Sequence, residues 1–516
     1  MISLRLLALT VSVASITLIA PAHAEPDPPN VVIIYADDLG PGDLSHYHRE
    51  RTGKPALVET PRMDALIAEG MRFIDAHSST ALCSPSRYCA MTGNLCHRSK
   101  NRWGVWRSNA PTPITDNDAT LGRVGQDAGL TTGFIGKYHL GGAFKNPNGQ
   151  GFFRGDMRNA GPDRFDGSVL VDSGPQSIGF DYSFTMPAGI QGPLYTAYEN
   201  GQWYPFSEDS KLINLTKDTA LEPAIVSDKG PGLGDSHFNT RDVGPLLAGK
   251  AVDFINANAE QDQPFLLCYW SPMVHIPHLP PDSFNGRPIA GQHATRHLDM
   301  VAEFDQQVGA IIDALKAQGV YDNTIIFLLS DNGGLRDGKA EKLGHDSSNG
   351  WRGSKNSPHE GGRRIPFVVV WPGHIEPGTT SFHMTADRDI VATLADLFDQ
   401  PLREDQGMDA LSLLPVLLGQ AEDNRDRMLP LQGGSHNELI HRVGPWKLII
   451  DTNHPETEHT LVALFNLDDN PKELEEQNLL NDPAHADRVQ TMFDEYMAWR
   501  KSNARSTPAM QSAPAN

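Results

Sequence analysis

The chain has 516 residues, of which 39% are hydrophobic and 21% charged, and its formal net charge is −21 at pH 7. This composition is typical of an ordinary globular protein and excludes both a wholly disordered chain and a bundle of membrane helices. The acidic charge argues against general nucleic-acid binding, because the sequence has no basic region of the kind that neutralises phosphates.

The first residues have the pattern of a secretory signal. Arg5 lies in a short basic region, residues 6–19 are mostly apolar, and Ala22 and Ala24 form a small-residue cleavage pattern. A membrane anchor is the alternative, but the apolar run is shorter than the roughly 20 residues that a spanning helix needs. We therefore expect residues 1–24 to be a signal peptide cleaved near Ala24. The mature protein is expected to be periplasmic or secreted and not embedded in a membrane.

Alternating apolar patterns then predict an α/β fold. Continuous apolar runs, of the kind buried on both faces of a parallel sheet, predict strands at 31–35, 265–270, 324–329 and 367–371. Amphipathic patterns predict helices at 61–70, 298–318 and 387–398. We therefore expect a doubly wound architecture, with a large, mixed, mostly parallel sheet flanked by helices.

The chain is predicted to form one main domain and a small subdomain. Residues 141–245 are rich in Gly, Pro, Asn and Asp, and are expected to form long loops with short strands over the ligand-binding face. Beyond about 425 the pattern predicts short strands at 446–450 and 464–467 and a helix at 485–500. The predicted organisation is a main domain at 25–424, an α+β subdomain at 425–501 and a disordered tail at 502–516.

Two of the predicted strands end in paired oxygen ligands. Asp37 and Asp38 follow the first strand, and Asp331 and Asn332 follow the strand at 324–329. The carboxyl ends of strands in α/β sheets are where ligands bind, and three carboxylates there would repel one another without a cation. Oxygen ligands favour a hard divalent cation, so we expect Ca²⁺, with Mg²⁺ as the alternative. Either pair alone is more typical of ordinary turn residues, and only its combination with the other motifs favours a cation site.

The four cysteines leave several alternatives open. Cys83, Cys89 and Cys96 lie close together, whereas Cys268 lies inside a predicted strand and is expected to be a buried apolar residue. A disulfide between Cys89 and Cys96 is one alternative for an exported protein. For Cys83 the alternatives are a structural disulfide, a buried thiol or a zinc ligand, although the spacings do not form the C-x₂-C pair of zinc sites.

The segment that begins at Cys83 carries the most specific motif. Pro85 suits the first turn of a helix, so Cys83 is expected just before a helix N-terminus, where free backbone N–H groups favour an anion. Residues 83–87 read Cys-Ser-Pro-Ser-Arg, which closely resembles the Cys-x-Pro-Ser-Arg signature of the formylglycine-dependent sulfatases of the alkaline phosphatase superfamily. The resemblance implies that a maturation enzyme oxidises Cys83 to formylglycine, whose hydrate supplies the attacking oxygen, and that Arg87 orients this hydrate.

The resemblance extends from about residue 29 to residue 475 and implies that the main domain is a sulfatase catalytic domain. It implies that one divalent cation is held by Asp37, Asp38, Asp331, Asn332 and the modified residue 83. Residues 136–141 resemble the family's Gly-Lys-Trp-His-Leu-Gly motif, with Tyr138 in place of tryptophan. The motif implies that Lys137 contacts the sulfate and that His139 helps the hydrate to expel it.

Two further loops resemble the substrate-side loops of the family. In residues 271–278 the resemblance makes His275 the acid that protonates the leaving oxygen, while His278 is either a second candidate or a structural residue. In residues 353–362 it makes Lys355 a ligand of the sulfate. The neighbouring residues His345, Arg352 and His359 match no position clearly enough to assign.

The residues together predict a hydrolase that cleaves a sulfate monoester of a carbohydrate or an aryl alcohol. Lysines, an arginine, a helix N-terminus and a cation would stabilise the charge that develops as the alcohol leaves. One alternative is a phosphomonoester or phosphonate hydrolase of the same superfamily, since a fold does not fix a function. The other is a catalytically silent protein that binds sulfate or a glycan, which would require the loss of several functional residues that are present here.

Overall fold

The structure is a computed structural model that describes residues 28–434, 437–453 and 456–502. The predicted signal peptide at 1–24 lies outside the described residues, and so does the predicted tail at 502–516 apart from Ser502. Within the described ranges, no helix combines the length and the apolar character needed to cross a membrane.

The described chain alternates strands and helices from its start. The strands are β1 (Asn30–Ala36), β2 (Met71–Phe73), β3 (Ala76–His77), β4 (Thr131–Lys137), β5 (Tyr182–Met186), β6 (Ala197–Glu199), β7 (Gln202–Tyr204), β8 (Leu212–Leu215), β9 (Gly232–Asp235), β10 (Phe265–Trp270), β11 (Ser283–Phe284), β12 (Arg287–Pro288), β13 (Thr324–Ser330), β14 (Phe367–Val370), β15 (Thr379–Ser381), β16 (Thr385–Ala386), β17 (Met428–Gln432), β18 (Glu438–Val443), β19 (Trp446–Thr452) and β20 (His459–Asn466). The α-helices are α1 (Ser45–Thr52), α2 (Pro61–Glu69), α3 (Cys83–Thr92), α4 (Leu121–Asp127), α5 (Thr240–Asn258), α6 (Arg296–Ala317), α7 (Gly338–Glu341), α8 (Asp389–Leu397), α9 (Leu414–Leu417) and α10 (Ala486–Lys501).

A ten-stranded sheet forms the centre of the molecule, in the order β15-β2-β14-β13-β1-β10-β4-β5-β6-β7. The first strand lies in the middle and pairs in parallel with both β10 and β13. Strands β4 and β5 continue the parallel arrangement, whereas β14 pairs antiparallel with β13. The predicted large, mixed, mostly parallel sheet is confirmed.

The continuous apolar run of β1 is explained by the two cores that it separates. Val31 and Ile33 face a core built with α3, α4 and α8, while Val32 and Ile34 face a second core built with α2, α5 and α6. Because successive side chains of a strand point to opposite faces, a strand covered on both sides must be apolar throughout. The observed arrangement is therefore the doubly wound packing that the sequence predicts.

Two helix boundaries differ from the prediction for local reasons. The helix predicted from 298 begins at Arg296, because the hydroxyl of Thr295 accepts a hydrogen bond from the backbone N–H of Leu298 and caps the helix earlier. The helix predicted from 387 begins at Asp389. The Asp387 side chain is instead engaged by the Tyr35 hydroxyl, 2.9 Å away.

The small C-terminal α+β subdomain is also confirmed. Strands β17 to β20 form an antiparallel sheet. Leu448 of this sheet and Tyr496 of α10 belong to the same apolar core as Ile33 of the central sheet. The core thus runs from the main domain into the subdomain, and the predicted boundary between residues 424 and 425 stays a prediction.

A buried ion pair joins the subdomain to α8. The Arg427 guanidinium donates to both carboxylate oxygens of Asp389 at 2.5 and 2.8 Å, and neither side chain is exposed. Breaking such a pair leaves an uncompensated buried charge, so we expect Arg427→Met to lower the free energy of unfolding by about 3–5 kcal/mol. The matched control, Arg336→Met, removes the exposed pair with Glu341 and should cost less than about 1 kcal/mol. Urea denaturation of both variants checks the prediction, and equal losses would contradict it.

Candidate active site

The predicted site residues meet at one edge of the central sheet. Strands β1, β4, β10 and β13 are mutually parallel, so their carboxyl ends lie side by side. Asp37 follows β1, Lys137 ends β4, and Asp331 follows β13. His275 lies in the loop after β10. This is the position at which open α/β sheets bind their ligands.

Helix α3 presents Cys83 to this edge. Cys83 is the first residue of the helix and not, as the sequence suggested, the residue before it. Its sulfur and one carboxylate oxygen each of Asp37 and Asp331 lie within 4.8 Å of one another. The hydroxyl of Ser84, the next residue, donates to the His139 carbonyl at 2.8 Å and so fixes the start of the helix against the loop after β4.

The Cys83 thiol is buried, with 2% of its surface exposed. Burial raises the pKa of the Cys83 thiol, although the nearby Lys137 and Lys355 act in the opposite direction. The thiol therefore stays protonated near neutral pH, and an unmodified Cys83 is a poor nucleophile there.

The other three cysteines lie away from this edge. The sulfur atoms of Cys89 and Cys96 lie 3.6 Å apart, at hydrogen-bond distance and without a disulfide bond, and Cys268 is buried in β10. Cys83 faces carboxylates and not these sulfurs, which is not the arrangement of a cysteine zinc site.

Three of the five predicted metal ligands are joined by hydrogen bonds. The backbone N–H of Asp38 donates to Asp331 Oδ1 at 3.2 Å, and the amide of Asn332 donates to Asp38 Oδ1 at 2.9 Å. Within the described part of the chain, Asp37 Oδ1 and Asn332 Oδ1 are buried and accept no hydrogen bond. Buried oxygens without a donor carry a large desolvation cost, which a hard cation would remove.

The electrostatics of the ligands also fit a cation. Burial, together with the charge of Asp37, raises the pKa of Asp331 to about 8. A carboxylic acid held neutral in this way would ionise beside a divalent ion. Asp38 has a backbone φ of 64°, in the left-handed region that non-glycine residues rarely adopt. Such conformations are typical of functional sites, where the surrounding structure holds them in place.

Three cationic side chains match the three carboxylates. The pairs are Lys137 with Asp37 at 2.6 Å, Lys355 with Asp38 at 2.7 Å, and Arg87 with Asp331 at 2.8 Å. With all three carboxylates ionised, the group is close to neutral, so a divalent cation would leave an excess of positive charge. An anionic substrate would be attracted to this edge although the whole chain is strongly acidic.

Arg87 is fixed more tightly than either lysine. It is fully buried, donates to the Lys137 carbonyl at 3.0 Å, and lies over the rings of Tyr35 and Trp270 at 5.4 and 5.5 Å. A guanidinium held by a carboxylate, a carbonyl and two aromatic faces keeps one orientation. It can therefore orient a group on residue 83, one helical turn away.

Two histidines complete the group. Burial and the charge of Lys137 hold the pKa of His139 well below its usual value, and burial and the charge of Lys355 lower the pKa of His275 to about 4. Both rings are therefore neutral near pH 7 without a ligand. His275 Nδ1 lies 2.6 Å from the Ile276 carbonyl, and its Nε2 lies 3.7 Å from Asp38. A neutral His139 can accept a proton, and an anion beside His275 would favour its protonated form.

A second cluster of histidines, which the sequence did not identify, supports the turn after Asp38. Asp43 Oδ1 lies 3.0 Å from His297 Nε2 and 2.8 Å from His345 Nε2, and its other oxygen accepts from the backbone N–H of Gly40. His278 packs against His297, with ring centroids 5.2 Å apart. Arg352 and His359 lie elsewhere, beside Glu475 and Glu473.

The structure thus brings together all ten predicted site residues, and it adds Gln191. The Gln191 side-chain oxygen accepts a hydrogen bond from Lys137 Nζ at 3.2 Å. Gln191 and His139 also line one cavity of about 210 Å³. No sequence motif marks Gln191, because it lies in a loop without periodicity.

The model of the sulfatase family matches residues 29–400. The N-acetylgalactosamine-6-O-sulfatase of Bacteroides thetaiotaomicron is 31% identical over 463 residues, covering 84% of each chain. Human arylsulfatase A is 30% identical over 408 residues, covering 78% of this chain and 70% of the relative.

A solved structure gives the same result. This structure is of a protein involved in the metabolism of multiple glycosaminoglycans by Bacteroides thetaiotaomicron. It superposes on this chain with a TM-score of 0.75 at 27% sequence identity, and the match covers 92% of this chain and all of the other chain. The region matched by the family model contains all ten site residues. The chain therefore belongs to the sulfatase family, and it is an enzyme of the sulfuric ester hydrolase class.

Proposed function

We propose that this sulfatase hydrolyses the sulfate monoester of a carbohydrate, through a formylglycine derived from Cys83 and with one bound divalent cation. The observation that carries the proposal is the position of Cys83, at the first turn of α3 and within 4.8 Å of two carboxylates of the candidate cation site. The carbohydrate class is supported by the relative named as an N-acetylgalactosamine-6-O-sulfatase. An aryl sulfate is the alternative substrate.

The proposed cation is Ca²⁺, held by Asp37, Asp38, Asp331 and Asn332, and with residue 83 as a further ligand. When bound, it would act as a Lewis acid on the sulfate oxygens. Hard oxygen donors favour Ca²⁺ or Mg²⁺ over zinc.

Each remaining side chain then has a role that its position allows. Lys137 and Lys355 bind the sulfate oxygens, and Arg87 orients the hydrated residue 83. One hydroxyl of the hydrate attacks sulfur in line while the alcohol departs, and His275 protonates the departing oxygen. His139 then accepts the proton of the second hydroxyl as sulfate leaves and the aldehyde re-forms.

The proposal is tested by comparing three esters with one preparation of the exported protein. These are a sulfated monosaccharide, an aryl sulfate and the phosphate ester of the same monosaccharide. We expect kcat/KM for the sulfated sugar to exceed that for the phosphate ester at least about tenfold, a difference of about 1.4 kcal/mol in transition-state stabilisation. Ion chromatography of released sulfate and phosphate measures both. Preference for the phosphate ester would overturn the sulfatase proposal, and turnover of the aryl sulfate alone would overturn the carbohydrate assignment.

We also propose that the mature enzyme works in the periplasm or outside the cell, after cleavage near Ala24. The pattern of residues 1–24 supports this location. N-terminal sequencing of the exported protein tests it, and a mature chain that still begins at Met1 would contradict it.

A further inference from the structure

The cavity beside His139 is basic in a protein that is otherwise acidic. It has a volume of about 210 Å³, below the roughly 300–1,000 Å³ of pockets for drug-sized ligands, so it suits one sugar-sized group. The residues that matter here are Arg107, Arg158, Lys229, Asp156, Gln191 and His139. Three cationic side chains thus converge on one small cavity, although the chain carries a net charge of −21.

Two hydrogen bonds connect this cavity to the reacting centre. Gln191, in its wall, accepts from Lys137 Nζ at 3.2 Å. The backbone N–H of Trp106, one residue before Arg107, donates at 3.2 Å to the hydroxyl of Ser84, which follows Cys83. The loop that carries Arg107 is therefore anchored directly to the first turn of α3.

The other cationic residues lie on loops that are held by a core of their own. Phe144, Phe153, Met157, Ala160, Phe165, Leu170, Leu194, Tyr198 and Leu233 form a separate buried cluster, here called the loop core. Met157 of this core precedes Arg158, and the backbone N–H of Asn159 donates to the Pro231 carbonyl at 2.8 Å. The Asn109 amide also donates to the Gly155 carbonyl at 2.9 Å. The three loops that carry Arg107, Arg158 and Lys229 are thus linked to one another by hydrogen bonds.

Two of the three cations are available to a ligand. Arg107 and Arg158 are exposed, and in the described part of the chain neither guanidinium has an ion pair or a side-chain hydrogen bond. Lys229 pairs with its neighbour Asp228 at 3.2 Å. Asp156, the acidic residue of the cavity, accepts from the backbone N–H of Arg158. Some surface arginines are paired, as Arg241 is with Glu222, whereas Arg164 and Arg287 have no ion pair in the described part of the chain. The position of Arg107 and Arg158 on one cavity therefore matters more than their lack of a partner.

An isolated surface arginine is usually only solvated, and its charge then contributes little. Here two unpaired guanidiniums share a cavity wall with His139, on loops that have little freedom to move away. A guanidinium binds a carboxylate or a sulfate through two parallel hydrogen bonds, which a neutral sugar cannot offer.

We propose that this cavity is a subsite for a second anionic group of the substrate, a carboxylate or a second sulfate beside the sulfate ester that is cleaved. The inference rests on the proposed function and narrows it to sulfated saccharides that carry more than one negative charge. Arg107 and Arg158 bind the second anion, and Lys229 adds to the positive potential. The strongly acidic remainder of the surface would repel such a substrate elsewhere and so confine it to this entrance.

The test compares three disaccharides that carry the same cleavable sulfate. Their neighbouring sugar is neutral, carries a carboxylate, or carries a second sulfate. For the exported wild-type enzyme we expect kcat/KM for one or both charged disaccharides to exceed that for the neutral one at least about tenfold, and the difference to shrink as salt rises, because added ions screen the attraction. Whichever charged disaccharide is preferred identifies the source of the anion.

The double variant Arg107→Ala/Arg158→Ala is expected to lower kcat/KM for the preferred charged disaccharide at least about tenfold more than for the neutral one. The control Arg287→Ala/Lys54→Ala removes the same charge from two exposed positions outside the cavity and should keep the wild-type preference. Equal turnover of the three disaccharides by the wild type, or an equal loss on all three in the double variant, would overturn the subsite while the proposed function stands. No sulfate release from any of the three would overturn the proposed function as well.

Discussion

Replacing Cys83 by alanine is expected to abolish sulfate release, lowering kcat by about 10⁴-fold or more, as the loss of a covalent nucleophile does in other hydrolases. The physical reason lies in the burial of this residue between Asp37 and Asp331. The other hydroxyls in the first turn of α3 are already engaged, because Ser84 donates to the His139 carbonyl and Ser86 donates to the Thr80 carbonyl. Peptide mass spectrometry of residue 83, paired with sulfate release, makes the measurement.

The matched control is Cys268→Ala, which removes a buried cysteine from β10 and leaves the edge of the sheet intact. It should lose stability through a small cavity but keep formylglycine at residue 83 and most of its activity. An unmodified thiol at residue 83 in a fully active wild-type enzyme would contradict the formylglycine mechanism. Full activity of Cys83→Ala would contradict the role of this residue altogether.

Asp331→Asn is expected to remove the bound cation and to lower kcat/KM by about 10³-fold, because a metal ion contributes several kcal/mol of transition-state stabilisation. The substitution keeps the shape of the side chain but removes the charge that faces Arg87 at 2.8 Å. Elemental analysis of the purified protein should show one equivalent of the metal in the wild type and little in the variant. A chelator should inactivate the wild type, and Ca²⁺ should restore it.

Asp409→Asn is the control for this variant. Asp409 is equally buried and also pairs with an arginine, Arg98, at 2.7 Å, but it lies outside the candidate site. The Asp409→Asn variant should be less stable than the wild type but should retain the bound metal. A wild-type enzyme that contains no divalent metal and ignores the chelator would contradict the cation assignment, and restoration by Mg²⁺ alone would replace Ca²⁺ by the alternative.

Much of the fold and the ten site residues could be predicted, because two strong signals coincide. The run 31–35 had to be a strand buried on both faces, and Asp37 and Asp38 at its end had no apolar role to fill. The same argument applied to Asp331, and parallel pairing of β1 with β13 then brought the two ends together. The motif at Cys83 added the chemistry. The sequence placed some helix boundaries wrongly, where a single cap such as Thr295 decides, and it did not identify helix α5 or strand β4.

The remaining features of the site could not be predicted, because tertiary contacts alone create them. Asp43 and its partners His297 and His345 come from three separate segments with no shared motif. Arg107 and Arg158 lie in loops whose sequences have no period. They meet only because buried loop residues and a few backbone hydrogen bonds fix the path of each loop.

The loop core has a consequence for how this enzyme can diversify. Its apolar residues form a cluster separate from the two cores that flank the central sheet. Substitutions among the polar residues that project from these loops therefore need not disturb the carboxylates and lysines on the strands. We expect related enzymes with this fold to change the saccharide that they accept through substitutions in the loops around 141–233. The catalytic residues at the strand ends should stay unchanged.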